Sequence, residues 1–161
     1  PLSIVYELIP HLKEVKGGAS RVIQVSSVCG LVSQPSNAPY CSSKHAIESF
    51  CDCLRAEMQP FLKVCIVQPA TMRTPLMLSY WGAWKESYEK APIDRQTSFS
   101  KDEVKQISQK QGAALIQIAE EPNVTVSAIV KALVDPDPPA RIRTGSNGWF
   151  FYMLSLLPDK S

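Results

Sequence analysis

The chain has 161 residues, 45% of them apolar, and 17 basic side chains against 15 acidic ones leave a net charge of +2. That size suits one globular domain, and the near-balanced charge gives no case for nucleic-acid binding. No signal peptide and no apolar run of about 18 residues is visible, so no membrane-spanning helix is expected. Cys29, Cys41, Cys51, Cys53 and Cys65 follow no metal-site or disulfide-framework spacing, which predicts reduced, mostly buried thiols of an intracellular protein.

Residues 2–15 repeat apolar positions at a helical period (Ile4/Val5, Leu8/Ile9, Leu12, Val15), with Pro10 inside and Gly17-Gly18 closing the pattern. His11 has no partner motif and reads as a surface residue. Residues 21–27, with the run Val22-Ile23-Gln24-Val25, predict a short buried parallel strand. Gly30 and the Ser/Pro/Asn-rich residues 33–39 form the connection, either facing a substrate or lying as an ordered surface loop. Residues 40–59 carry Ile47, Phe50/Cys51, Leu54 and Met58 at a period of 3.6 and stop at Pro60. This stripe is expected to pack on a sheet or on a second subunit. Residues 63–68 predict the next parallel strand, reached by a right-handed helical crossover. Ligands of open α/β sheets bind beyond the carboxyl ends of strands, which puts residues 69–74 next to a ligand.

Residues 75–111 are the least patterned, holding Tyr80, Trp81, Trp84, Tyr88 and Phe99 among mixed charges. Two readings stay open: an aromatic-rich lid over a substrate pocket, or a peripheral helical pair with its aromatics packed inward. Helices are expected over 112–119 and 124–134, split by Glu121-Pro122-Asn123, and Asp135-Pro136-Asp137-Pro138-Pro139 makes a rigid turn. A last apolar run covers 149–158.

Ser27 ends the first strand, Tyr40 follows thirteen positions later, and Lys44 comes four after that. Positions i and i+4 share one helical face, so Tyr40 and Lys44 project side by side. A free phenol, with a pKa of about 10, is a poor base at neutral pH; a neighbouring ammonium favours its phenolate. Ser27 would hold a substrate oxygen by hydrogen bond. A surface i, i+4 pair is the plain alternative, and Ser27 directly after a strand counts against it. Phenol, ammonium and hydroxyl together handle the proton of an alcohol or carbonyl, but no side chain accepts the hydride, so a nicotinamide cofactor is implied. His45 points off this face.

The segments Val25-Ser26-Ser27-Val28-Cys29-Gly30, Pro39-Tyr40-Cys41-Ser42-Ser43-Lys44 and Val67-Gln68-Pro69-Ala70-Thr71-Met72-Arg73-Thr74 resemble the short-chain dehydrogenase/reductase family. The resemblance implies an α/β, Rossmann-like doubly wound parallel sheet, an NAD(P) cofactor and a Ser/Tyr/Lys catalytic set at Ser27, Tyr40 and Lys44. It assigns cofactor contacts to Tyr40, Lys44, Pro69, Thr71 and Thr74, the last a fit for the nicotinamide amide or a phosphate. The family has Pro-Gly where this chain has Pro69-Ala70, which predicts a slightly altered backbone approach. Arg141-Ile142-Arg143-Thr144-Gly145 resembles the family's last strand.

The resemblance covers nearly the whole chain but only the second half of a family member. A Gly-rich phosphate-binding turn and a catalytic asparagine would lie before Pro1, so residues 1–161 are expected to be the C-terminal portion of one Rossmann-type domain. Within it, 75–111 is the expected substrate lid and 146–158 an apolar C-terminal segment. The ending, with helix 50–58, is most similar to the branch holding retinol, hydroxysteroid and 3-hydroxybutyrate dehydrogenases. That branch implies an NAD-linked enzyme, NADP left open, acting on a lipophilic retinol- or steroid-like alcohol or ketone. The runner-up substrate is 3-hydroxybutyrate, gripped by Lys85, Lys90 or Arg95. A third reading is a truncated, inactive chain that pairs with full-length subunits. The resemblance further implies a homodimer or homotetramer built on residues 2–15 and 40–59, located at the endoplasmic reticulum membrane or in mitochondria. Residues 149–157 are too short to span a bilayer, which takes about 20. They are expected in the core, in a pocket wall, or at a membrane interface with Trp149, Tyr152 and Lys160 at headgroup level.

Overall fold

Three short runs of β-branched residues make the strands, and the apolar face of one long helix covers them. The computed structural model describes residues 2–15, 20–34, 37–93, 96 and 100–157. Expectations for Gly17-Gly18, Pro35, Ser36, Arg95, Phe99, Pro158 and Lys160 lie outside these residues. The elements are α1 (Leu2–Glu14), β1 (Arg21–Val25), a 3-10 turn (Val28–Gly30), α2 (Ala38–Met58), β2 (Lys63–Pro69), α3 (Pro75–Lys90), α4 (Lys101–Ile118), α5 (Asn123–Val134), β3 (Arg141–Thr144) and α6 (Gly148–Ser155). They form two compact units: Pro1–Ala70 with Asn123–Ser161, and Thr71–Pro122.

In the first unit the strands lie in the order β1-β2-β3, all parallel. Val25 sits opposite Val67, and Val67 opposite Ile142, so the three carboxyl ends line up. The central strand is buried from Val64 to Gln68, whereas β1 is half-buried. Cys51, Leu54 and Met58 of α2 pack with Val5, Leu62, Val64 and Ile66 into the core. The helical stripe therefore covers the sheet, and each such large side chain contributes about 1.5–3 kcal/mol of burial.

The first strand stops at Val25, two residues before the sequence-based boundary. Ser26 still donates its N–H to the Val67 carbonyl at 2.8 Å, after which the backbone turns into the 3-10 segment. Pro39 in the first turn of α2 costs no helical hydrogen bond, and the helix begins at Ala38. Arg21 closes the far end of α5 by donating to the carbonyls of Ala132, Leu133 and Asp135 at 3.0, 2.7 and 2.8 Å. Helix α6 buries only Gly148, and Trp149 and Phe150 are each 62% exposed. Burial in the core of this chain is thus not the fate of the apolar run.

The second unit is a helical pair. Thr74 caps α3, accepting from Met77 N at 3.4 Å. Helix α4 begins at Lys101 rather than at 112. Its start is a capping box in which Ser100 Oγ accepts from Glu103 N while the Glu103 carboxylate accepts from Ser100 N. Tyr80, Trp81, Trp84 and Tyr88 are half-buried and meet ring to ring. Ser108 of α4 donates to the Trp81 carbonyl at 2.9 Å. The four aromatics thus pack on one another along α3, at half burial.

Candidate active site

Ser27 is buried, and its Oγ accepts from Cys29 N at 3.2 Å, capping the 3-10 turn. A hydroxyl used as an acceptor keeps its own proton to donate. Gly30 ends the turn hard against α2. A Cβ there would lie 2.9 Å from Glu48 Cγ and from Ser26 Oγ, and 3.1 Å from the Lys44 carbonyl oxygen. Only glycine allows that approach.

Tyr40, Lys44 and Glu48 follow one another at i, i+4 and i+8 along one face of α2. The Lys44 ammonium donates to the Val25 carbonyl at 3.3 Å and stands 5.5 Å from the centre of the Tyr40 ring. One cation thus joins the carboxyl end of β1, two residues before Ser27, to the phenol. Burial pushes the Lys44 ammonium below its usual range, opposed by Cys29 and Glu48. Burial pushes the Cys29 thiol up, with the Ser27 hydrogen bond opposing, so at neutral pH it is no counter-charge. Tyr40 is 38% exposed, leaving its ring accessible. His45 Nδ1 is hydrogen-bonded to the Cys41 carbonyl on its own helix at 2.9 Å.

Behind the pair lies a polar network that sequence reasoning missed. Glu48 is 6% exposed and its Oε2 accepts from Gln68 Nε2 at 3.0 Å and from Arg141 Nε at 3.1 Å. Arg141 also donates to Asp52 at 2.6 Å, and Asp52 accepts from Arg55 at 2.6 Å. Two signals were readable: a glutamate four residues beyond Lys44, and a glutamine ending the apolar run Val64-Cys65-Ile66-Val67.

The other predicted positions fall differently. Pro69 ends β2, and the N–H of Ala70 donates to the Thr144 carbonyl at 2.9 Å, extending the ladder past the Pro-Ala step. Thr71 and Thr74 belong to the second unit, where the Thr71 carbonyl accepts from Glu120 N at 3.0 Å. The five cysteines are free thiols, four buried and Cys53 exposed. Burial raises the Cys51 thiol to about 11.

The family model described as short chain dehydrogenase matches residues 1–84. The chain belongs to that family. Among curated relatives, human 17-beta-hydroxysteroid dehydrogenase type 6 is 27% identical over 161 residues, covering 98% of this chain and 50% of that protein. The mouse mitochondrial D-beta-hydroxybutyrate dehydrogenase is 45% identical over 62 residues, 38% of this chain and 17% of that protein. Among crystal structures, a short-chain dehydrogenase from Streptomyces avermitilis superposes with a TM-score of 0.66 at 23% identity, covering 95% of this chain and 51% of that one. One from Burkholderia cenocepacia in complex with NADP gives 0.60 at 20% identity, covering 94% and 48%. Another from Burkholderia phymatum in complex with NAD gives 0.60 at 15%, covering 94% and 52%. The fold is thus the Rossmann-like parallel sheet with flanking helices, and this short-chain dehydrogenase chain spans about half or less of the relatives named.

Proposed function

We propose that the full-length protein moves a hydride between a nicotinamide cofactor and an alcohol or carbonyl, with Tyr40, Lys44 and Ser27 handling the proton. The observation that carries this reading is the Lys44 ammonium bridging the Tyr40 ring and the Val25 carbonyl. Tyr40 exchanges a proton with the substrate oxygen, Lys44 stabilises its phenolate, and Ser27 donates a hydrogen bond to the same oxygen.

The donor set fits a dinucleotide: of the three ammonium protons of Lys44, one goes to Val25, leaving two for a ribose or the phenolate. Lys44 and Tyr40 would hold the nicotinamide end; for Pro69, Thr71 and Thr74 the proposal rests on the family resemblance alone. When bound, the cofactor supplies the hydride chemistry that side chains lack. Solved relatives carry NAD or NADP, and we keep NAD as the working choice. Likewise on resemblance, residues 75–111 are proposed to set substrate choice.

For the substrate we favour a lipophilic retinol- or steroid-like molecule, and we propose that α6 rests at a membrane interface. Trp149, Phe150, Met153 and Leu154 are 62, 62, 59 and 42% exposed, an apolar patch of the kind that marks an interaction surface. No helix of the described residues is long and apolar enough to cross a membrane. Lys85 and Lys90 are paired with Glu89 and Glu86, at 3.6 and 2.5 Å, which leaves less charge for gripping 3-hydroxybutyrate. Subunit pairing through α1 and α2 is also proposed, since Ile4, Tyr6 and Leu8 of α1 stand exposed.

The test is an assay of the full-length protein with NAD and NADP against retinol, steroid alcohols and 3-hydroxybutyrate, with and without liposomes. Turnover of a lipophilic alcohol is expected, and Phe150, Phe151 and Leu154 changed together to Ser should release the protein from liposomes. That triple change should also raise KM for the lipophilic alcohol more than for a small soluble one. Neither turnover nor cofactor binding would favour the alternative, an inactive chain that acts only by pairing with other subunits.

A further inference from the structure

We propose that Glu48 is a positioning residue of the Tyr40–Lys44 pair, its one buried carboxylate joining the catalytic helix to β2, to β3 and to the turn after Ser27. The proposal rests on the functional reading above for its effect on turnover. An apolar side chain would fill this position in a sheet-covering helix more cheaply than a carboxylate, because a buried charge must be paired and hydrogen-bonded. Glu48 meets that requirement at Oε2, through partners drawn from outside its own helix, while Oε1 is buried with no hydrogen-bond partner among the described residues. Gln68 reaches it from the centre of the sheet at 3.0 Å, and Arg141 from the third strand at 3.1 Å.

Its methylene stem does a second job. Glu48 Cγ and the Lys44 carbonyl oxygen both crowd the place where Gly30 lacks a Cβ, at 2.9 and 3.1 Å. The turn that begins at Ser27 is therefore seated on Glu48 and on the Lys44 backbone together. Helix α2, the 3-10 turn, β2 and β3 thus all meet at this side chain. A slip of α2 along the sheet would break both hydrogen bonds and unseat Gly30.

The charge reaches the site as well. The groups that bear on Lys44 are Cys29 from the 3-10 turn, the Val25 carbonyl from β1, and Glu48 and the Tyr40 ring on its own helix. With the Cys29 thiol held protonated by burial, Glu48 is the anion that favours the ammonium. Facing Glu48 itself are Arg141 and Gln68 from the strands, and Cys51 and Lys44 on α2.

The experiment compares Glu48→Leu, Glu48→Gln and Asp52→Asn in the full-length protein. Readouts are kcat, KM, cofactor Kd, melting temperature and the pH at which Lys44 becomes acylated by trace acetic anhydride, followed by mass spectrometry. Glu48→Leu is expected to lower kcat by about tenfold or more, with KM and Kd within about threefold. Glu48→Gln keeps the shape and restores most of kcat. Having lost the charge, it should move Lys44 acylation, and the alkaline limb of kcat, to lower pH. Asp52→Asn, which removes the exposed partner of the same arginine, should leave kcat and the acylation midpoint near wild type.

A folded Glu48→Leu with normal kcat would overturn the proposal. So would a fall of kcat and melting temperature with a matching rise of KM and Kd, which is the mark of a purely structural residue. If Glu48→Leu fails to fold, an unshifted acylation midpoint in Glu48→Gln is enough to reject it. A wild type without turnover sinks the enzyme reading only, and the acylation midpoint then still supports or overturns the link between Glu48 and Lys44.

Discussion

Helices α2 and α3 both carry a proline in the first turn, yet α2 buries Cys41, Glu48, Cys51, Leu54 and Met58 whereas α3 buries none of its residues. The first is fixed by the sheet and by hydrogen bonds from two strands. The second is held by a threonine cap and by a helix of its own unit, through Ser108. A helix tied to a sheet can keep a phenol, an ammonium and a hydroxyl in register to within a fraction of an ångström. A helix held by local contacts tolerates change of its exposed side chains.

The contrast can be broken at several points. Lys44→Ala should cost turnover at least about 100-fold, because it removes the cation beside the Tyr40 ring. It should also raise the cofactor Kd, which steady-state and fluorescence titrations would separate; an unchanged Kd would strike Lys44 from the cofactor contacts. Leu54→Ala, at a position 3% exposed, should destabilise the protein by about 2–5 kcal/mol in denaturant unfolding. Ser100→Ala removes the α4 cap and should cost about 1 kcal/mol. Leu78→Ala on α3, at a position 56% exposed, should stay within about 0.5 kcal/mol. Equal losses at Leu54 and Leu78 would mean that the two helices are held alike after all.

Much of the first unit was legible in the sequence because its signals are local and strong. Val22 to Val25 and Val64 to Val67 are β-branched runs that read as strands, and the spacing of Tyr40 and Lys44 puts the ammonium beside the ring and within reach of the Val25 carbonyl at the end of β1. The second unit was hard to read because mixed charges blur its helical period. Even so, Ser100 and Glu103 announce the start of α4 three residues apart, a signal passed over. The Glu48 network was invisible for another reason. Arg141 is 93 residues from Glu48, and only the parallel pairing of β2 with β3 brings it to α2. The apolar run at 149–157 was plain in the sequence, but its helical form and its exposure were not.

The central claim, that Tyr40 passes the proton, is tested most directly by Tyr40→Phe in the full-length protein. The substitution keeps the ring beside Lys44 and deletes only the hydroxyl. Turnover should fall at least about 100-fold while the cofactor Kd stays nearly unchanged. A Phe variant with near-normal kcat would contradict the account.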